Sequence, residues 1–150
     1  MKSAAFYPCF STSRLVEALG DTPVVVIHGP RQSGKTTLAQ RTRETRGYAY
    51  FSLDDETARR AAAADPVGFV DSLPPHSILD EVQRAPGLFT ALKTAVDRDR
   101  QPGRFLLTGS ANVLLVPGLA DSLAGRMEIL RLFPLAQCEL AGRESGFLRS

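Results

Sequence analysis

Residues 29–36 have the spacing G-x-x-x-x-G-K-[ST], which is typical of a loop that binds nucleotide phosphates. This loop and the residue after it consist of Gly29, Pro30, Arg31, Gln32, Ser33, Gly34, Lys35, Thr36 and Thr37. An apolar run precedes the loop and a helical pattern follows, so backbone N–H groups and a helix N-terminus would point at one phosphate. Lys35 would then reach the β- and γ-phosphates, and the Thr36 hydroxyl would bind Mg²⁺. The sequence predicts a nucleoside triphosphate site; the alternative is a glycine-containing surface turn.

A second chemical feature is the pair of adjacent carboxylates, Asp80 and Glu81, at the end of a short apolar run. Behind a phosphate loop, this has the form of a Walker B strand. Asp80 would hold Mg²⁺ through its water shell, and Glu81 would orient and polarise the attacking water. Adjacent residues on a strand point to opposite faces, but the turn at its carboxyl end can bring both into the crevice where ligands bind.

Three further polar residues are candidates for a catalytic role. Ser110 and Asn112 follow the fourth predicted strand and could sense the γ-phosphate or hold the attacking water; alternatively, one of them caps the next helix. Arg126 could act as a finger in a neighbouring subunit's site. The alternative for Arg126 is an ion pair with an acidic neighbour such as Asp121 or Glu128.

Along the chain, short apolar runs rich in β-forming residues alternate with helical patterns. This alternation is typical of a parallel sheet flanked by helices. Strands are predicted at about residues 23–28, 48–53, 77–80, 104–109 and 127–132. Helices are predicted at about residues 12–20, 35–46, 55–64, 86–99 and 112–123. Uniformly apolar runs such as residues 24–27 are expected in strands that are buried on both faces.

The composition fits a single domain of 150 residues with a net charge of +2. No zinc-finger spacing or aromatic RNA-binding signature supports nucleic-acid binding. The densest basic cluster (Arg41, Arg43 and Arg46) falls late in a predicted helix, where cations favour the helix dipole and Gly47 would cap the end. We interpret this cluster as structural, with nucleic-acid contact as the alternative. His28 is interpreted as a satisfied, semi-buried histidine.

The expected compartment is the cytoplasm. No apolar run approaches the roughly 20 residues that span a bilayer, so membrane contact is not predicted. The N-terminus lacks the long apolar segment of a secretory signal. Cys9 and Cys138 lie far apart in the sequence and are interpreted as reduced thiols rather than a bridge.

Several motifs together resemble an AAA-type ATPase family of bacteria and archaea, within the AAA+ superfamily. The matching segments are residues 29–37, 52–55, 78–83 and 107–112, with 123–126 and 133–135 fitting the same family. The resemblance implies a three-layer α/β/α P-loop fold with a mostly parallel five-stranded sheet. It also implies ATP rather than GTP, a Mg²⁺-dependent core, and a sensor after the fourth strand, which by position would be Asn112 or Ser110. The absence of an N-K-x-D segment also disfavours a GTPase.

The resemblance also suggests a division of the chain. Residues 1–21 would form an N-terminal segment and leading helix, residues 22–142 the AAA-type ATPase core, and residues 143–150 a polar tail. Members of the family usually continue into a long C-terminal region, whereas this sequence is expected to form the core without a helical lid.

The favoured functional hypothesis is Mg²⁺-dependent ATP hydrolysis coupled to an unknown target, with a homo-oligomer as a possible setting. A second hypothesis is an ATP-binding switch that does not turn over. A third is a P-loop phosphotransferase, which Glu81 disfavours because a carboxylate at this position suits activation of water.

Overall fold

The computed structural model describes residues 12–30, 34–110 and 112–132. Its five strands are β1 (Val24–His28), β2 (Ala49–Ser52), β3 (Ser77–Asp80), β4 (Phe105–Gly109) and β5 (Met127–Arg131). Its six α-helices are α1 (Thr12–Asp21), α2 (Lys35–Arg46), α3 (Glu56–Ala64), α4 (Pro66–Asp71), α5 (Leu88–Arg98) and α6 (Leu119–Leu123). Within these ranges, single 3₁₀ turns lie at Val82–Arg84 and Val113–Leu115. None of the helices in these ranges has the length and apolar content needed to cross a membrane.

The five strands form one sheet in the order β2-β3-β4-β1-β5, and every pair is parallel. β1 is therefore flanked by β4 and β5, with Val24 opposite both Phe105 and Met127. All the strands run in the same direction, so their carboxyl ends meet at one edge, where ligands bind in open α/β sheets. The predicted parallel sheet is confirmed, and β4 lies between β1 and β3.

The sheet is covered on both faces because consecutive side chains of its strands point to opposite sides. On one face, Val25 and Ile27 pack with residues of α1 and α2; on the other, Val24 and Val26 pack with residues of α3, α4, α5 and α6. Every residue of β1 is buried, which explains its uninterrupted apolar run. The predicted three-layer α/β/α arrangement is confirmed.

Helix boundaries are set by local capping. Asp55 caps α3 by accepting a hydrogen bond from the backbone N–H of Ala58 at 3.0 Å. Asp65 ends α3 and caps α4, accepting from the N–H of Gly68 at 3.0 Å, while Pro66 occupies the first turn of α4. The sequence predicts the end of α3 at about residue 64, but it does not predict the helix α4 that follows.

One helix prediction is wrong. The single helix expected over residues 112–123 is replaced by a 3₁₀ turn, a bend at Pro117 and Gly118, and the short helix α6. Gly118 has a φ of 95°, a left-handed conformation that glycine adopts without a Cβ penalty. By contrast, Gly47 ends α2 as expected, with a φ of 74° and its N–H bonded to the Arg43 carbonyl.

Candidate functional site

The candidate site lies at the carboxyl edge of the sheet, where β1, β3 and β4 end side by side. His28 at the end of β1 is opposite Gly109 at the end of β4. A backbone hydrogen bond of 3.3 Å from the Gly29 N–H to the Gly109 carbonyl joins the start of the phosphate loop to the end of β4. The predicted loop and the predicted acidic pair therefore belong to neighbouring parts of one edge.

The second half of the phosphate loop leads directly into α2. Gly34 is the N-cap residue, with a φ of 89° that only glycine adopts readily, and the Leu38 N–H bonds to its carbonyl at 2.9 Å. Lys35 is the first residue of α2 and is 4% exposed, whereas Thr36 and Thr37 are exposed. Gly29 and Pro30 begin the loop; residues 31–33 lie outside the described part of the chain. An exposed hydroxyl beside a buried ammonium at a helix N-terminus suits a phosphate and its cation.

Glu81 turns away from the line of β3 and toward Lys35. Its φ of 59° and ψ of 51° place it in the left-handed region, and within the described ranges no other residue with a Cβ has a positive φ. The Lys35 Nζ lies 3.9 Å from the Glu81 Oε2. On the other side, the Gln83 amide donates a hydrogen bond of 2.8 Å to the Glu81 Oε1. The backbone turn therefore brings the second carboxylate of the acidic pair into the crevice beside the loop lysine.

Asp80 is held by a hydrogen-bond network that spans three strands. The Tyr50 hydroxyl of β2 donates to the Asp80 Oδ2, and the Thr108 hydroxyl of β4 donates to the Asp80 Oδ1. The Thr108 oxygen in turn accepts from the Glu81 N–H at 3.0 Å. Burial raises the pKa of the Tyr50 phenol, and its bond to the Asp80 carboxylate raises that pKa further, so the phenol stays a donor. One chain of hydrogen bonds therefore fixes both members of the acidic pair.

The chain is closely packed at the end of β4, where Gly109 is followed by the two candidate sensor residues Ser110 and Asn112. A Cβ on Gly109 would lie 2.6 Å from the Cγ2 of Val113 and 3.0 Å from the Gln83 Oε1. Ser110 is half-buried, and its carbonyl accepts a hydrogen bond from the Val113 N–H at 3.0 Å. Asn112 is exposed and occupies the N-cap position of the 3₁₀ turn, with no hydrogen bond from its side chain to the cap. Both residues lie at the carboxyl edge, and side-chain capping by Asn112, the alternative raised from the sequence, does not occur.

Arg126 lies at the opposite edge of the sheet, where its carbonyl accepts from the N–H of Val24 at the start of β1. Its guanidinium forms a bidentate pair with Asp97 of α5, with Nε–Oδ1 and Nη2–Oδ2 distances of 2.6 and 3.1 Å. The ion-pair partner of Arg126 is therefore Asp97, and not Asp121 or Glu128, which the sequence suggested. The hydrogen bond from Arg126 lowers the pKa of the Asp97 carboxyl. The structure thus places Arg126 in an ion pair away from the phosphate loop of its own chain.

Two buried polar atoms of the described residues lack a hydrogen-bond partner, namely the Nδ1 of His28 and the Oε1 of Gln83. The expectation of a satisfied histidine at position 28 is therefore wrong: the side chain is 8% exposed and its Nδ1 is unpaired. Burial, followed by the charge of Arg131, lowers the pKa of the His28 imidazole, which favours the neutral form. Both unpaired atoms lie at or beside strand ends of the carboxyl edge.

Comparison with known sequences identifies the family. Residues 21–141 match the sequence profile of the family described as AAA domain. The chain belongs to this family. Family membership makes it a nucleotide-binding, ATPase-like domain, in agreement with the resemblance seen in its motifs.

Two curated relatives extend the comparison. This AAA domain is 39% identical over 122 residues to an uncharacterised protein of Mycobacterium bovis and, to the same extent, to one of Mycobacterium tuberculosis. The alignment covers 81% of this chain and 27% of each relative. The chain therefore spans about a quarter of the length of these relatives.

The residues present fit a nucleotide-bound magnesium ion. The described residues contain no group of three or more His, Cys, Asp or Glu side chains placed to hold a metal. Mg²⁺ is commonly bound by one or two carboxylates together with substrate phosphates, and it keeps several waters. Asp80 and the exposed Thr36 hydroxyl offer the hard oxygen donors that such a site needs, with the phosphates supplying the rest.

Sequence reasoning missed the residues that support the acidic pair. Tyr50, Thr108 and Gln83 bond directly to Asp80 or Glu81, yet no role was predicted for any of them. Thr108 and Gln83 lie within motif segments that carry the family resemblance, so those segments signalled their neighbourhood. Tyr50 gave no signal, because a tyrosine in a strand is common in ordinary cores.

Proposed function

We propose that this AAA domain binds ATP with Mg²⁺ and hydrolyses it. The observation that carries the proposal is the approach of the buried Lys35 ammonium to the Glu81 carboxylate, 3.9 Å apart at the carboxyl edge. Asp80 lies beside Glu81 and is held by two hydroxyl groups. A phosphate-binding cation, a metal-binding carboxylate and a carboxylate able to accept a proton are thus gathered at one edge.

Binding is assigned to residues 29–37, whose backbone N–H groups and helix N-terminus would surround the phosphates. Lys35 would neutralise charge on the β- and γ-phosphates, while Thr36 and Asp80 would hold Mg²⁺. The bound ion would supply charge neutralisation of the phosphate oxygens. Since the Lys35 ammonium lies 3.9 Å from the Glu81 carboxylate, a phosphate would replace one anionic partner of the ammonium with another.

For hydrolysis, Glu81 would orient a water molecule and accept its proton as the oxygen attacks the γ-phosphorus. The bond from that phosphorus to the β–γ bridging oxygen breaks, which releases ADP and phosphate. Gln83 supports this role because its amide fixes one oxygen of Glu81 at 2.8 Å. Ser110 or Asn112, which follow β4 at the same edge, are proposed to sense the γ-phosphate.

A second candidate function is an ATP-binding switch without turnover. The observation in its favour is that both Glu81 oxygens are engaged, one by Gln83 and the other by Lys35. A carboxylate held in this way would need to exchange partners before it could polarise water. The observations give no comparable support to phosphotransfer to a small acceptor.

The test compares Glu81→Gln with the wild type and with Glu44→Gln, a matched change at an exposed position of α2. Glu81→Gln should keep ATP affinity at or above the wild-type value, because Lys35 loses a competing anion. Its turnover, measured as phosphate release, should fall by about 100-fold or more, the usual contribution of a general base.

Each outcome is decisive. Unchanged turnover in Glu81→Gln would mean that water is activated elsewhere. Mg²⁺-dependent ATP binding without any turnover in the wild type would favour the switch. Failure of the wild type to bind ATP would refute the proposed function as a whole.

Arg126 is proposed to be structural, on the strength of its bidentate pair with Asp97. Action as a finger would require a homo-oligomer in which this edge faces the carboxyl edge of a neighbour. Turnover per chain that rises with protein concentration, and that loses this rise in Arg126→Ala, would establish the finger instead.

A further inference from the structure

We propose that Tyr50 is a positioning residue that holds the Asp80 carboxylate in the orientation needed to receive the magnesium–nucleotide complex. The inference rests on the proposed function and adds to it a side chain that no sequence motif marks. It assigns to Tyr50 a measurable effect on the coupling between Mg²⁺ and ATP.

The Asp80 carboxylate is held on both of its oxygens. Each of its two carboxylate oxygens accepts a hydrogen bond from a hydroxyl, Tyr50 on one side and Thr108 on the other. Asp80 is 4% exposed, so water contributes little to its orientation. Two donors on opposite oxygens fix rotation of the carboxylate plane, and each oxygen keeps a lone pair for a further contact.

Tyr50 is itself held by the core and by α2. Tyr50 is half-buried on β2 and packs against the core cluster between the sheet and helices α1 and α2. The Arg43 guanidinium lies 5.8 Å from the centre of its ring. Arg43 belongs to α2, the helix that begins with Lys35. Tyr50 thus connects the helix that would carry the phosphate-binding residues to the carboxylate that would carry the metal.

The hydrogen bond from Tyr50 would affect a metal held by Asp80. Hydrogen-bond partners of metal ligands orient those ligands, and their loss typically weakens metal binding or activity. Without the Tyr50 hydroxyl, the Asp80 carboxylate would keep only the hydrogen bond from Thr108. One hydrogen bond would leave the carboxylate free to change its orientation. The expected defect is specific to Mg²⁺, since the Tyr50 hydroxyl bonds to Asp80 and its ring faces Arg43, and neither residue belongs to the phosphate loop.

The experiment compares Tyr50→Phe with a matched control, Tyr48→Phe. Tyr48 lies two residues earlier, is buried, and donates its hydroxyl to the Gly103 carbonyl at 2.7 Å. Gly103 precedes β4, so the control removes an equally good hydrogen bond at the opposite edge of the sheet. The measurement is the ATP dissociation constant by calorimetry, with Mg²⁺ and with EDTA, together with the thermal midpoint of each variant.

Mg²⁺ increases the ATP affinity of the wild type by some factor, and in Tyr50→Phe this factor should be about tenfold smaller. Tenfold is the lower end of the range for outer-shell partners, and we expect it because the phosphates also hold the ion. Its affinity in EDTA should equal that of the wild type. Tyr48→Phe should leave both constants unchanged even where its thermal midpoint falls.

Three results would overturn the inference. If Mg²⁺ increases the ATP affinity of Tyr50→Phe as much as that of the wild type, Asp80 is oriented without the phenol. An equal loss of affinity with and without Mg²⁺ would show a general structural role. Absence of any Mg²⁺ enhancement in the wild type would refute the proposed function itself, and it is recognised by the wild-type titration alone.

Discussion

Replacing Lys35 by methionine should separate ligand binding from stability. The side chain of Lys35 is 4% exposed and its ammonium lies 3.9 Å from the Glu81 carboxylate. Methionine has a similar length and no charge, so Lys35→Met removes the ammonium while it keeps most of the packing. We expect ATP affinity to fall steeply while the stability of the nucleotide-free domain changes little.

The small stability change follows from two opposing contributions. Attraction between the two charges across 3.9 Å is worth about 4 kcal/mol at an effective dielectric constant of about 20. Holding an ammonium away from water costs several kcal/mol, and the 20% exposure of the Glu81 side chain lets water weaken the pair. These contributions nearly cancel, and the Glu81 left behind keeps its hydrogen bond from Gln83 and its contact with water, so it is not a fully buried unpaired charge. The free energy of unfolding of Lys35→Met should therefore lie within about 1 kcal/mol of the wild-type value.

The loss of affinity should be much larger. Contacts from the ammonium to two phosphates are worth about 1.5–3 kcal/mol each. Losing them should raise the ATP dissociation constant by about 100-fold or more. Calorimetric titration gives this constant, and urea unfolding without nucleotide gives the stability, with Lys93→Met on α5 as a control for loss of one positive charge.

Two results would refute this reasoning. Wild-type ATP affinity in Lys35→Met would mean that the ammonium does not contact the phosphates. A loss of stability well beyond that of Lys93→Met would mean that the pair with Glu81 stabilises the fold far more than its burial costs.

Two further predictions concern residues outside the acidic pair. Gly109→Ala should destabilise the fold by about 1–3 kcal/mol, since its new Cβ would lie 2.6 Å from Val113, whereas Gly20→Ala on α1 meets no atom within 4 Å; thermal melts of both variants check this. Arg126→Ala should lower the thermal midpoint near neutral pH without changing ATP affinity. Because Arg126 lowers the folded-state pKa of Asp97, the stability it adds is present above the unfolded pKa and is lost as pH falls through the lower folded value. The gap between wild-type and variant midpoints should therefore close below about pH 4, and a gap that persists there would contradict the ion-pair assignment.

The architecture was predictable because its signals are local and repeated. The apolar run before Gly29 and the helix after Lys35 identify a strand–loop–helix unit from residue order alone. The alternation of such runs with helical patterns then limits the sheet to a parallel type. The wrong prediction of a single helix over residues 112–123 also has a local cause, because Pro117 and Gly118 interrupt an otherwise helical pattern.

The site was predictable only as far as its motifs reach. Asp80 and Glu81 are visible as a pair, but the left-handed backbone that turns Glu81 toward Lys35 accompanies a hydrogen bond from its N–H to Thr108, a residue 27 positions away in the sequence. Tyr50 reaches Asp80 because β2 and β3 are neighbours, with Ser52 opposite Asp80, and pairing partners are not encoded in either strand alone. Contacts between distant segments therefore account for most of what the sequence could not show.

The order of the strands has a consequence for how the domain is synthesised. β1 is made early, yet its neighbours in the sheet are β4 and β5, whose first residues opposite Val24 are Phe105 and Met127. At about 5–20 residues per second, a ribosome needs roughly 4–16 s to add the intervening chain before β4 can pair. During that interval β1, the most apolar strand, and the phosphate loop that follows it have no partner strand to pair with. Nascent chains of this domain are therefore expected to expose β1, to water or to chaperones, until β4 has emerged.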